Sequence, residues 1–316
     1  MRLSPEAIAM RRAVRRLRVG LVVDNMDWHT HALTRALTAL GATSMPIRLT
    51  ACGFATSNAA GLAIEGFGAD LPDAIFVRTM PGGSFEAVTL RLGILHAARD
   101  LGVIVWNDAR AIERCVDKSM TSFLLARAGI ATPPTWVVES REAATAIVAR
   151  EATRCPLVLK PLFGSQGRGL RLIRTPKDLP EPAAVNGVYY LQRFVGVERE
   201  GFRDFRVLVS RGRVVAAMAR HSTDWITNVK RGGRPVAVVA NEEMRELALR
   251  AAAAVGAAFA GVDIVYDADG RPTVLEVNSM PAWSGLQKVT SFDIAAALAG
   301  DIVDAMAERL ARGAGA

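Results

Sequence analysis

Lysine is scarce in this chain of 316 residues: Lys118, Lys160, Lys177, Lys230 and Lys288 are all there are, among 39 basic residues. Arginine serves nearly everywhere else, so each retained lysine is worth inspecting. Cysteine is equally sparse. Cys52, Cys115 and Cys155 are odd in number, widely spaced and free of CxxC pairing, which excludes a disulfide framework and a metal knuckle and fits a reducing compartment. Of four histidines, His29 and His31 stand two apart, on different faces of any helix, which excludes a metal pair. No apolar stretch is long enough for a bilayer: Ala251 to Val262 is twelve residues, against the roughly 20 a span needs. No apolar core follows the N-terminal charges, so a secretory signal is not expected. The segment is Arg-rich and acid-poor, as transit peptides are, but a frayed basic helix is the preferred reading.

What is present is ordinary for a globular protein: 51% hydrophobic and 22% charged residues, with mean hydropathy +0.21. Bulk disorder is excluded. The formal charge of +8 is concentrated, because residues 1–18 hold six arginines and the single acid Glu6. The rest of the chain is close to neutral, and the basic segment lacks the interleaved aromatics of a nucleic-acid surface. The expectation is a cytoplasmic protein with no membrane and no nucleic-acid partner.

From Arg18 the pattern is regular α/β. Arg18 to Asp24 reads as a buried parallel strand, Thr30 to Leu40 as a helix, and Ala74 to Arg78 as a second strand. Phe85 to Asp100 reads as a helix and Gly102 to Trp106 as a third strand. Alternation implies a parallel sheet, whose ligands lie beyond the carboxyl ends of its strands. That places Asp24 to His29, Arg78 to Gly83 and Asn107-Asp108 around one crevice. After Asp108 the character changes. One helix is expected over Ala109 to Ala128, then a linker at Pro133-Pro134, several hairpins, and a helix from Glu242 to Phe259. The whole reads as α/β followed by α+β with antiparallel sheets.

Three constellations carry chemistry. Leu159-Lys160-Pro161 followed by Gly164-Ser165-Gln166-Gly167-Arg168-Gly169 is strand, lysine, glycine-rich loop, strand. Glycines let backbone N–H groups approach phosphate oxygens, and a strand-anchored lysine adds fixed positive charge. Alone, the same residues also make a plain glycine hairpin. Next, the turn Asp267-Ala-Asp-Gly270 joins two apolar runs. Pairing Tyr266 with Thr273 sets Asp263 opposite Glu276, with Asn278 on the face of Glu276. Opposed like charges are unfavourable. A divalent cation removes that penalty, the alternative being a solvated acidic face. Finally, Arg220 precedes Asn228-Val-Lys230-Arg231-Gly-Gly, a set suited to a transferring phosphoryl group or an acyl phosphate.

In this order the motifs resemble the ATP-grasp superfamily, and within it the RimK-like amino-acid ligases. The matching elements are Asp117-Lys118, Leu159-Lys160-Pro with its glycine loop, Gln192-Arg193-Phe194-Val195, and Asp204-x-Arg206. They continue with Asn228-x-x-Arg231-Gly-Gly, Gly261-Val-Asp263 and Glu276-Val-Asn278-Ser-Met-Pro281. The resemblance spans about Ala109 to Ala307. It implies an N-terminal parallel α/β (pre-ATP-grasp) domain followed by a two-lobed ATP-grasp domain. The expected boundaries are a basic extension at 1–17, the first domain at 18–108 and the second at 109–316, with its smaller lobe about 130–190. It also implies that Lys118 and Lys160 reach ATP phosphates under the loop of Gly164, Ser165, Gln166 and Gly167. Gln192 to Val195 would flank adenine, and Asp204 would be an acid of the nucleotide site. Arg206 would face substrate, with Arg220, Asn228 and Arg231 at the reacting group. Asp263, Glu276 and Asn278 would bind Mg²⁺, or Mn²⁺ in its place. One departure stands out: Ile226 sits where the family often has a basic residue, leaving Arg220, Lys230 or Arg231 to supply that charge.

The implied chemistry is ATP-dependent amide formation through an acyl phosphate, and no side-chain nucleophile is required. Trp28, Pro81-Gly-Gly83 and Pro281-Ala-Trp283 are similar to the tetrahydromethanopterin-linked ligases of methylotrophic bacteria. This implies glutamate and a pterin-like carboxylate acceptor as substrates, in a homo-oligomer. Trp28 and Trp283 would close on a flat ring, and Arg78 would meet a carboxylate. The alternatives are glutamylation of a ribosomal or other protein tail, and an ATP-binding scaffold without ligase activity.

Overall fold

The computed structural model describes residues 17–164, 166–196 and 201–313. It divides into two compact units. The first comprises residues up to Glu113 together with Ala257–Phe259 and the stretch from Met280 onward; the second comprises Arg114–Gly256 and Ala260–Ser279.

The first unit is built on a parallel sheet in the order β2-β1-β5-β6, from Arg18–Val22 (β1), Thr43–Ile47 (β2), Ala74–Val77 (β5) and Ile104–Trp106 (β6). A short ribbon, Gly53–Phe54 (β3) with Leu62–Ala63 (β4), lies apart from it. β5 is buried along its whole length and β1 nearly so, as strands covered on both faces must be. The edge strand β2 tolerates Pro46, whose missing N–H faces no neighbour there. Its composition, Thr-Ser-Met-Pro-Ile, gives no strand signal, and it goes unpredicted. Helix Trp28–Ala39 (α1) starts where the Asp27 carboxylate accepts the Thr30 N–H, and Ser84 caps Phe85–Asp100 (α2) in the same way.

The second unit begins at Arg114, inside a helix, and one expectation is corrected there. The helix expected over 109–128 is two helices, Ala109–Val116 (α3) and Lys118–Arg127 (α4). Asp117 leaves helical geometry and caps a fresh start, accepting the Ser119 and Met120 N–H groups. Lys118 thereby becomes the first residue of a helix. Thr135–Val138 (β7), Leu157–Lys160 (β8), Arg171–Ile173 (β9) and Tyr189–Arg193 (β10) form an antiparallel sheet ordered β7-β10-β8-β9. Helix Arg141–Glu151 (α5) covers it through a core including Ile147, Val148, Leu157, Leu159, Tyr189 and Leu191.

The larger sheet, ordered β13-β12-β11-β14-β15, contains Phe202–Ser210 (β11), Arg213–Ser222 (β12), Arg234–Ala237 (β13), Phe259–Tyr266 (β14) and Pro272–Asn278 (β15). Helix Glu242–Val255 (α6) begins under Asn241 and ends at Gly256 in the left-handed region. It is four residues shorter than expected, because Phe259 to Gly261 already belong to β14. Back in the first unit, Ser284–Gln287 (α7) and Ile294–Gly313 (α8) close the described chain. No helix among the described residues is long and apolar enough to cross a membrane.

Candidate active site

The second unit gathers most of the chemistry-bearing residues. Lys160 ends β8, buried, and its Nζ donates to Gln192 Oε1 at 2.6 Å. Gln192 on β10 has no freedom to turn. Its Nε2 donates to Thr135 Oγ1 and Tyr190 Oη, both at 3.1 Å, and Tyr190 Oη lies 2.7 Å from Ser122 Oγ. The amide oxygen is therefore fixed toward the lysine. Burial pulls the Lys160 ammonium down to about 8, with Glu276 opposing and Lys118 reinforcing the fall. Lys118 is lowered for the same first reason, burial, with Glu276 and Asp117 opposing. Its Nζ donates to the Gly164 carbonyl at 2.8 Å, so it pins the glycine-rich loop from beneath.

That loop requires glycine. Gly167 has φ +69°, and a Cβ there would sit 2.7 Å from both Asn228 Oδ1 and Ile226 Cγ2. Arg231 Nη1 donates to the Gly167 carbonyl at 3.0 Å. The loop and the 226–231 segment thus meet directly, although Gly167 and Arg231 are 64 positions apart in the chain. Ile226, where a basic residue was expected, is buried against Gly167. Of the three replacements considered, Arg231 is the one at the loop. Gln166 occupies the left-handed region, while Ser165 lies outside the described residues.

Asp263 and Glu276 do pair across the β14–β15 hairpin, by a different route from the one expected. Tyr266 faces Pro272 and Val265 faces Thr273; a bulge between Asp263 and Ile264 restores the opposition. The opposed carboxylates do not need a cation to offset their repulsion, because Asp263 is already neutralised by arginine. Asp263 is held by Arg206, Nε to Oδ1 and Nη2 to Oδ2 both at 2.8 Å, and by Arg220 Nη2 at 2.9 Å. Arg220 in turn grips Asp204 directly across β11 and β12. Burial raises the Asp263 carboxyl, but the two guanidiniums outweigh it and hold the group at about 2. Arg220 is raised by Asp263 and Asp204 against its own burial. Two arginines and two aspartates make a closed network with no net charge. Arg220 and Asp204 are thus fully engaged with each other in this structure.

Glu276 is different. It is half-buried, and it has no hydrogen bond or ion pair among the described residues. It is felt through space by Lys118 and Lys160. No cluster of three or more histidine, cysteine or acidic side chains suited to a metal occurs among the described residues. A two-carboxylate, one-amide set completed by phosphate oxygens does not need one.

On the 192–195 segment, the Arg193 side chain bonds Glu151 at 2.9 Å. Phe194 packs edge-on against Phe202 and Trp225, with ring centroids 6.5 and 6.0 Å away. Trp225 and Phe202 went unremarked in the sequence, as did Ser122, Thr135 and Tyr190. The spacing of Tyr190 and Gln192, two apart on one strand face, was the available signal.

Comparison with known proteins settles the family. A model of the RimK-like ATP-grasp domain matches residues 115–302. The chain belongs to the RimK-like ATP-grasp family. A tetrahydromethanopterin:alpha-L-glutamate ligase from Methanococcus maripaludis is 38% identical over 199 residues, covering 61% of this chain and 67% of the relative. Its counterpart from Methanocaldococcus jannaschii is 35% identical over 233 residues, covering 71% and 76%. The fold is similar to that of the ATP-grasp ligase PsnB complexed with a phosphomimetic variant of its minimal precursor, Mg and ADP. The TM-score is 0.71 at 22% identity, covering 91% of this chain and 98% of PsnB. The protein is accordingly an ATP-grasp ligase, and family membership carries the use of ATP and Mg²⁺.

In the first unit of this ATP-grasp protein, two expectations are corrected. Trp283 is completely buried, with His29 and Phe259 packed edge-on at centroid distances of 4.6 and 6.0 Å. No face is open to a flat ring. Trp28 is exposed and contacts His29 from another direction, at 5.2 Å, on the wall of a groove of about 500 Å³ between α1 and α8. The histidine touches both tryptophans, and Trp283 cannot form half of an open clamp with Trp28. Asn107 is the second. It is fully buried, and its amide exchanges hydrogen bonds with the backbone of Phe259. Asn107 is a structural pin. Arg78, by contrast, stands buried at the carboxyl end of β5.

Proposed function

We propose that this ligase joins glutamate to a carboxylate of a pterin-type, tetrahydromethanopterin-like acceptor, by way of an acyl phosphate and with release of ADP. The observation that carries the reading is the convergence of two buried lysines whose ammonium pKa burial lowers, a glycine cradle, and Glu276, which has no hydrogen bond or ion pair among the described residues, in one unit. Two relatives bearing that activity in their names support the acceptor class. Lys160, its Nζ oriented by Gln192, and Lys118 would contact the phosphates. Backbone N–H groups of Gly164, Gln166 and Gly167 would add uncharged donors. Val195 and Phe194 would wall the base, with the Phe202 and Trp225 rings behind.

The donor chemistry fits Mg²⁺, and Mn²⁺ as a substitute, since all available donors are oxygens. Glu276 and Asn278 would hold it, with whatever lone pairs Asp263 retains beside its arginines. When bound, the ion supplies charge neutralisation for the phosphates being separated. Arg231 and Asn228, brought to the loop through Gly167, would steady the transferred group. Arg206 would present its remaining N–H groups to substrate while Asp263 holds its inner edge. Three free cysteines support a reducing, cytoplasmic setting.

The test is ADP release with glutamate while candidate acceptors are screened, followed by product mass. A pterin carboxylate gaining one glutamate residue is the expected result. ADP release with protein tails alone would move the acceptor, and no acceptor-dependent release would refute ligation.

A further inference from the structure

Arg78 is a buried cation with no counter-ion. Only 5% of it is exposed, and no carboxylate among the described residues lies within ion-pair distance of it. Its Nη1 donates to the Pro281 carbonyl at 3.0 Å, and its Nε has no acceptor. The guanidinium carbon sits 4.6 Å from the centre of the Trp283 ring, whose own Nε1–H is also buried without an acceptor. The hydroxyl of Thr79, the next residue in the chain, is a third buried polar group without a partner. Such groups are rare in native proteins, because each costs about 1–3 kcal/mol. Three of them occur here on one contact pair and its chain neighbour.

The other neighbours are already satisfied. His29 Nδ1 meets Asp27 Oδ2 at 2.8 Å, so that Nε2 accepts from the Trp283 and Ser284 N–H groups, both at 3.2 Å. The Asp27 carboxylate also accepts from Thr30 N and Oγ1. Burial raises Asp27, but these bonds hold it at about 2. Asp27 acts on Arg78 only through space, and burial pulls the guanidinium down to about 10. What remains open is a set of donors, all wanting one kind of atom. The site lies where a parallel sheet puts ligands, directly after β5.

We propose that Arg78, with Trp283 Nε1 and Thr79 Oγ1, forms an anion site that takes a carboxylate of the acceptor substrate. This rests on the ligase reading for its substrate and gives Trp283 a new part, as floor and donor beneath the guanidinium instead of a stacking platform. A guanidinium edge matches a carboxylate in shape, two N–H groups to two oxygens. Inorganic phosphate shares that chemistry and is the competing ligand in the test.

The experiment uses the full chain without nucleotide. Thermal unfolding and tryptophan fluorescence are followed against glutarate, inorganic phosphate and neutral glutaramide at fixed ionic strength. Glutarate should raise the melting temperature saturably and glutaramide should not. Arg78→Met should abolish the effect while ADP binding stays within twofold. Trp283→Phe and Thr79→Val should each weaken glutarate several-fold, since each removes one donor, with the ligand-free melting temperature of each variant reading the cost of the volume lost. No glutarate response, or an undiminished one in Arg78→Met, overturns the site. A response to phosphate alone overturns its assignment to a carboxylate. Glutarate binding that persists when no acceptor yields ADP would sink the ligase reading and leave the anion site standing.

Discussion

The two units treat buried arginine in opposite ways. In the second, the buried Arg220 and the partly buried Arg206 stand with Asp204 and Asp263, and each of these positive charges meets a negative one. In the first, Arg78 is as deeply buried and meets a backbone carbonyl and an aromatic face. A neutral network holds a scaffold in place, because breaking any member strands its partner. An uncompensated guanidinium serves stability poorly, and under the proposed anion site its charge is what a ligand carboxylate would meet. The lysine pair lies between these cases. Lys160 has an amide, not a carboxylate, as its nearest partner.

The sharpest way to break this comparison is Asp263→Ala. It leaves Arg206 without its only carboxylate partner among the described residues and Arg220 with Asp204 alone, and a loss of about 3–5 kcal/mol in unfolding free energy is expected. Denaturant unfolding monitors it. A loss below 1 kcal/mol would show that the network contributes little. The same carboxylate is held at about 2, below its ordinary value, so its contribution is present at neutral pH. It should be lost as the pH falls from about 4 toward 2.

Lys160→Ala should weaken ADP binding by about 1.5–3 kcal/mol, one charge-assisted contact. Lys160→Arg should restore only part, since a planar fork replaces a point charge. Titration calorimetry reads both, and unchanged affinity in the alanine variant would move the phosphate site elsewhere.

pH sharpens the contrast further. With Lys160 at about 8, ADP affinity should fall as pH rises through 8, and Lys160→Met should show no such step. Fold stability moves the other way. The unfolded lysine keeps its proton above pH 8 while the folded one sheds it, so unfolding free energy should rise with pH between about 8 and 10.

The smallest effect is expected at Arg78. Removing an uncompensated charge relieves its burial and forfeits one hydrogen bond and a ring contact. Arg78→Met should therefore change stability by less than about 1 kcal/mol. A loss of several kcal/mol would make Arg78 a structural residue like Arg220.

How far the sequence carried depends on the range of the interaction. The Asp263–Glu276 pairing was legible because a turn signal and period-two alternation are local. The bulge was not, since it only re-registers residues whose identities suit either register. Lys118, Lys160 and the glycine loop were legible as types, but the reason Gly167 cannot bear a side chain lies at Asn228 and Ile226. The cross-strand Arg220–Asp204 contact could have been read by pairing β11 with β12, and was missed because each residue was assigned a ligand first. Trp283 was misread for a similar reason: an aromatic side chain suits a flat ring, and only its neighbours show that it is enclosed. In the helix that restarts at Lys118, the capping side chain of Asp117 broke a stretch whose apolar spacing alone reads as one helix.

Burial sets the range of pH in which Lys160 keeps its charge, and the fixed amide of Gln192 does nothing to extend it. Three partners hold it so that only its oxygen faces the lysine. A dipole there offers direction without neutralisation. Glu at this position would retain the shape and supply a permanent counter-ion, extending the charged range of Lys160 well into alkali. That ammonium would also be less available to any other anion. The choice of amide over acid at one atom thus trades breadth of working pH against readiness to accept a phosphate.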